Sequence, residues 1–415
     1  MPQPPVIIVG AGLAGLACAL ELERNGIDCQ LLESSDAPGG RVRTDQVDGF
    51  LLDRGFQVYL TAYPEGQRLL DYGALQFGCF APGAMVRLGD SFHRVMDPWR
   101  EPFAALSGLL NPVGSMRDKL LVARLRASCL AGSPDDLLKR PETTTLAKLR
   151  NYGFSDSMID RFFRPFFGGI MLDSSLSVSS RMLEYVFRMM ASGDTVLPAG
   201  GMGAIPAQLA TRLRPSTLRL NTRVSGLTAS SVTLATGETL PARAVVVATD
   251  ASTATQLLPG QLAPVSGRHS TNLYFAIDGP APLRDPMIIL NGAGGSPIQN
   301  LCFPSSICST YAPPGMSLVS ATVLGDPDAS DSALASQVRK NLGDWFSVDT
   351  RNWRLLRVYR IRNAHPDPQP HTVAEQPTRL ASGVFLCGDH RFMPSIQSTL
   401  VNGRHAAESV LSHVG

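Results

Sequence analysis

The chain has 415 residues, of which 44% are hydrophobic and 17% charged, and its formal net charge is +2. That length gives two or three domains' worth of chain and a core large enough to bury a ligand. The near-neutral balance, without a basic or acidic run, argues against a nucleic-acid-binding protein.

The opening residues Met1-Pro2-Gln3-Pro4-Pro5 lead straight into a strand predicted over 6–9. No charged segment followed by an apolar stretch and a cleavage site precedes it, so no signal peptide is expected. No apolar run reaches membrane-spanning length. The seven cysteines include no CxxC pair and are odd in number, which points to a reducing, cytoplasmic compartment.

After the first strand, Gly10, Gly12 and Gly15 fit the spacing G-x-G-x-x-G. Gly10 lets the chain turn off the strand. Gly12 lets backbone approach a pyrophosphate, and Gly15 lets the helix sit close to the sheet. A helix predicted over 14–24 stops at Asn25-Gly26. Its first turn, with Leu13 and Ala14, offers free N–H groups and a positive dipole end to an anion. A second strand over 29–32 ends at Glu33, followed by Ser34. An acid about twenty residues past the glycines is placed to accept both hydrogen bonds of an adenosine ribose.

Next come Gly39-Gly40-Arg41-Val42-Arg43, two glycines that open the backbone and two arginines suited to phosphate. Asp53-Arg54-Gly55 reads as a turn, with Gln57 and Tyr59 on one face of an extended segment. Between about 80 and 196 glycine thins out, and helices are predicted over 116–130 and 181–190. Between them lies the aromatic run Phe162-Phe163-Arg164-Pro165-Phe166-Phe167, which suits either a core or an apolar pocket. A glycine-rich segment over 197–206 leads into a helix at 207–213, then strands at 218–224, 231–235 and 240–248. The run Ala244-Val245-Val246-Val247 reads as buried parallel sheet. Residues 251–358 are least informative, with strands at 272–277 and 317–323 and a helix at 333–341. At the C-terminal end a strand finishes at Gly388-Asp389, and a long helix starts near Ser395-Ile396-Gln397.

Four motifs in this order carry a resemblance: Gly10 to Gly15 with Glu33; Gly39-Gly40-Arg41; the 197–206 segment with the strands ending at Ala248-Thr249-Asp250; and Gly388-Asp389 with Asn402-Gly403-Arg404. The chain resembles the superfamily of flavin-containing amine oxidases, carotenoid desaturases and protoporphyrinogen oxidases. The resemblance implies FAD as cofactor and an α/β fold: a Rossmann-like FAD-binding domain of glutathione-reductase type with an inserted α+β substrate domain. It implies FAD-binding segments at 1–79, 197–255 and 365–415, and substrate-domain segments at 80–196 and 256–364. Glu33 would hold the adenosine ribose and Val224 the adenine, with Ala248 near the cofactor. Gly40 and Arg41 would meet the pyrophosphate or ribityl chain, and Gly388 and Asp389 a ribityl hydroxyl or phosphate. Ile396 and Gln397 would aim a helix N-terminus at the flavin, where it favours negative charge.

The implied reaction is hydride removal from an activated C–H of a hydrophobic or heterocyclic small molecule, with oxygen or a quinone left open as acceptor. Gln57, Tyr59, His390 and Arg391 are the candidate catalytic side chains, and His365 is a further one. A non-redox isomerase, an amine oxidase proper and a pigment-binding flavoprotein stand as alternatives. No lysine lies in 272–277, where an amine oxidase would carry one. The seven histidines are scattered, so no metal is expected. Contact with a membrane surface is left open by the aromatic run.

Overall fold

A computed structural model describes residues 3–103, 111–367 and 376–414. Parts of the expected domain segments (1–2, 104–110, 368–375 and 415) lie outside the described residues.

A five-stranded parallel sheet is assembled from distant pieces of chain. Its order is Leu218–Arg219, Cys29–Leu32, Val6–Val9, Ala244–Val247, Phe385–Leu386. Val9 lies opposite Leu32 on one side and Val247 on the other. Strands buried on both faces need apolar residues at every position, which explains the uninterrupted runs. Val6, Ile8 and Val246 face the helices Leu13–Arg24 and Ile396–Val414. Ile7, Val9, Val245 and Val247 face a small three-stranded sheet and the helix Ala251–Leu257.

The first and last helices cross at close range. A Cβ on Gly403 would stand 2.2 Å from the Ala14 carbonyl oxygen, so only glycine allows this approach.

A seven-stranded mixed sheet lies on the other side of the molecule. Its order is Arg354–Pro366, Gly267–Asp278, Met316–Leu324, Ile298–Cys302, Ile288–Asn291, Gly83–Leu88, Ser91–Met96. The helix Asp331–Phe346 covers one of its faces. Helices Met116–Leu130 and Ser180–Ser192 pack together, and Arg164–Met171 lies against the strand Ile298–Cys302 of that sheet. No helix among the described residues is long and apolar enough to cross a membrane.

Three expected elements differ. The strand expected over 218–224 breaks at Asn221, whose φ of 52° is left-handed. Its second part, Val224–Leu227, joins another sheet. The strand expected over 240–248 is two strands, Thr239–Pro241 and Ala244–Val247, in different sheets. Pro241 lacks the N–H that would carry the ladder onward. The helix expected at 207–213 is Ala204–Ala210.

Candidate functional site

The glycine turn divides its work by position. Gly10 has φ +104°, and a Cβ there would meet the Ala248 carbonyl oxygen at 3.0 Å. A Cβ on Gly15 would lie 1.9 Å from the Gly10 carbonyl oxygen. A Cβ on Gly12 would have no neighbour within 4 Å, so the turn faces open space there. Gly12 is the N-cap of the Leu13–Arg24 helix, with no capping side chain and no acid in the first turn. The first-turn N–H groups therefore have no capping side chain, and the turn presents them to the cavity. Gly39 donates its N–H to Ala11 O at 2.8 Å, which lays the second glycine loop against the first.

Glu33 braces this turn from behind. Its Oε2 accepts the Ala11 N–H at 2.8 Å, and its Oε1 accepts the N–H (2.9 Å) and hydroxyl (2.8 Å) of Ser35. The Ser34 hydroxyl donates to the same Oε1 at 3.4 Å. Carboxylate oxygens carry two lone pairs each, so Oε2 keeps one acceptor site. The chain returns around this acid: Thr222 donates its N–H to Glu33 O at 2.7 Å, just before Val224.

Arg41 and Asp389 are 348 residues apart and form an ion pair at 2.7 Å. Arg41 also donates to Ala364 O at 2.9 Å. Burial alone would raise the Asp389 carboxyl, but the Arg41 guanidinium overrides it and holds the group below its usual range. The Ile396–Val414 helix begins beside this pair, with the Ser395 hydroxyl accepting from Ser398 N.

One continuous cavity of about 800 Å³ joins these parts. Gly10, Gly12, Leu13, Ala14, Glu33, Ser34, Gly40, Arg41, Val224, Ala248, Gly388, Asp389 and Ile396 all line it. Its far end is apolar, walled by Phe162, Phe163, Phe166, Phe167 and Phe187. Phe163 and Phe167 are fully buried as well, so the aromatic run is core and pocket wall together. Trp99 stands on the cavity wall and is half exposed, with the Arg126 guanidinium 4.7 Å from its ring centre.

The expected catalytic side chains are not brought together. Gln57 lines the cavity and donates from Nε2 to Arg41 O (2.9 Å) and Arg54 O (3.1 Å), so it shapes the arginine loop. Tyr59 is fully buried away from the cavity, with its hydroxyl 2.9 Å from that of Tyr72 and its ring stacked on Phe77. Its strand pairs with Thr195–Pro198, which turns the ring inward. Arg391 donates to Pro377 O at 2.7 Å and to Gln376, away from the cavity. Gln397 turns its Oε1 to Glu65 N at 2.9 Å, which leaves only its backbone near the cofactor end. His365 does line the cavity, each ring nitrogen 3.3 Å from a carbonyl oxygen, of Ile170 and of Pro366.

His390 does not line the cavity, and both its ring nitrogens are buried without a partner among the described residues. Burial pushes its imidazole down to about 4, with Arg391 and Arg41 adding to the effect and Asp389 and Asp250 opposing it. An unfolded histidine titrates near ~6.5, so the unfolded chain binds the proton first as pH falls. The stability present above that pH is lost progressively down to about 4. His390→Phe should therefore lose less stability on acidification than the parent chain, by up to about 3 kcal/mol. Urea melts of both proteins on either side of this window measure it, and parallel pH curves would refute it.

Sequence reading also missed a buried hub at Asp53. Its carboxylate accepts from Thr44 Oγ1, from Met202 N at 2.8 Å and from the Tyr311 hydroxyl at 2.8 Å. Tyr274 donates to its carbonyl oxygen at 2.9 Å. Burial raises this carboxyl to about 6. The hub fastens the hairpin beside the arginine loop to the seven-stranded sheet. Its only sequence signal is an acid closing the apolar run Phe50-Leu51-Leu52.

The sequence profile of the family described as flavin containing amine oxidoreductase matches residues 13–411. A phytoene dehydrogenase of Streptomyces griseus is 29% identical over 294 residues, 62% of this chain and 56% of that protein. A coproporphyrinogen III oxidase of Propionibacterium freudenreichii is 25% identical over an alignment of 500 residues, covering 98% of this chain and 90% of that one. The solved structure of an oxidoreductase from Methanosarcina mazei superposes with a TM-score of 0.76 at 17% identity, over 98% of this chain and 100% of the other. That likeness establishes the fold.

Proposed function

The chain belongs to the flavin containing amine oxidoreductase family, and from that premise we propose an FAD-dependent oxidoreductase acting on a hydrophobic or heterocyclic small molecule. The observation that carries this reading is the single cavity running from the glycine turn, past the Arg41–Asp389 pair, to an aromatic chamber.

The residues present suit FAD. The uncapped first turn at Leu13 and Ala14 and the open face of Gly12 would take the pyrophosphate. Glu33, Ser34 and Val224 would hold the adenosine end, and Arg41 with Asp389 the ribityl chain. Gly388 and Ile396 would border the flavin ring, which the helix N-terminus would polarise. When bound, FAD supplies hydride acceptance from the substrate. The aromatic wall excludes water and orients the apolar body of the substrate. Segments 1–79, 197–255 and 365–415 would form the FAD-binding domain, and 80–196 with 256–364 the substrate domain.

The membrane contact would involve Trp99, half exposed on the cavity wall, and the exposed Phe103 and Leu120. The purified protein should carry visible flavin absorbance. Under anaerobic conditions that absorbance should bleach with one class in a panel of polyenes, porphyrinogens, amines and cyclic imine precursors, and the protein should co-sediment with anionic liposomes. A chain unable to take up FAD would sink the proposal.

A further inference from the structure

The seven-stranded sheet has two unlike faces. Leu273, Phe275, Val319, Ala321 and Leu301 pack on the helix Asp331–Phe346 in a wholly apolar cluster. Strand alternation sends the intervening residues to the other face. There Asn272 lies opposite Thr322, Thr322 opposite Asn300, and Ser270 two residues from Asn272. A buried sheet face is ordinarily apolar, yet beside Tyr274, Ala276 and Cys302 this face carries a run of polar residues.

Part of the ladder satisfies itself. Asn272 donates from Nδ2 to Ser320 Oγ at 3.1 Å, and its Oδ1 accepts from Thr322 Oγ1 at 3.2 Å. Asn300 differs. It is 2% exposed, it lines the cavity, and its Oδ1 has no hydrogen-bond partner among the described residues. Leaving such a group unpaired is costly, so a native fold rarely keeps one without use. The opposing helix makes room for the amide. A Cβ on Gly169 would stand 2.1 Å from Asn300 Nδ2.

We propose that Asn300, on the cavity wall, recognises a hydroxyl at one end of an otherwise apolar substrate. The amide turns on a broad torsion, and a hydroxyl both donates and accepts, so it serves whichever end it meets. The phenylalanine wall takes the apolar body. A pure hydrocarbon of the same shape fills the chamber but leaves the amide unpaired, and it is rejected on that account. The inference rests on the proposed function only in treating the chamber's occupant as substrate.

Calorimetric titration with farnesol and with the matched hydrocarbon farnesene tests it. The wild-type holoenzyme should bind farnesol at least about tenfold more tightly, the equivalent of one hydrogen bond to a buried amide. Asn300→Leu should erase that preference without lowering the melting temperature, because it removes an unpaired polar group of similar shape. Failure of farnesol to bind, equal binding of the pair by the wild type, or an unchanged preference in Asn300→Leu overturns the proposal. A chain that takes up no FAD would sink the functional reading alone, since the same titration reads binding to the apoprotein.

Discussion

Replacing Arg41 with methionine should cost the fold roughly 3 kcal/mol and abolish flavin retention. The substitution leaves the Asp389 carboxylate nine-tenths buried without its counter-ion. Removing one partner of a buried pair is worth ~3–5 kcal/mol, because the other charge stays desolvated. The lower end applies here, since the Arg41 side chain is 35% exposed on the cavity side. Arg41→Met combined with Asp389→Leu should recover most of the stability, because neither charge then remains. It should not recover flavin, whose anionic middle would have lost its guanidinium. Urea melts and the flavin-to-protein absorbance ratio separate the two effects. A double variant as unstable as Arg41→Met would show that the pair is not what Asp389 requires.

The two glycines at the head of the first helix should fail in opposite ways. Gly15→Ala places a methyl 1.9 Å from the Gly10 carbonyl oxygen. Helix and strand must then separate, at a cost of about 1–3 kcal/mol or more, and the anion site goes with them. Gly12→Ala meets nothing within 4 Å, and its φ of −70° suits any residue. It should cost the fold no more than about 1 kcal/mol, the usual difference between glycine and alanine at an N-cap. The methyl nonetheless occupies the space through which a pyrophosphate must approach, so flavin uptake should fall steeply. Thermal melts beside flavin content decide the matter. A Gly12→Ala protein with full flavin would remove the pyrophosphate from this turn.

What was legible in the sequence was local. The glycine turn, the acid at Glu33 and the Gly388-Asp389 strand end each encode a backbone requirement within a few residues, and the structure places them on one cavity. What was illegible depended on partners far along the chain. Tyr59 and Gln57 share a short extended segment, yet only Gln57 reaches the cavity, because Thr195–Pro198 claims the strand that holds Tyr59. Asn300 sits in the run Ile298-Gln299-Asn300-Leu301-Cys302. Alternation tells which residues share a face there, but not that the cavity lies beneath it. Arg391 follows Asp389 by two positions and points elsewhere, a matter of local turn geometry that no spacing encodes.

The parallel sheet also sets a timetable for folding. Its strands are drawn from positions 6–9, 29–32, 218–219, 244–247 and 385–386. During synthesis the first helix waits for its partner at Ile396–Val414 with an apolar side unprotected. Such long-range closure is slow, and unfinished sheets expose edges that invite association. The cleft closes only once nearly 400 residues are available, so cofactor capture is expected to follow synthesis. Growth conditions that prolong this interval, such as scarce flavin, should favour aggregation over assembly.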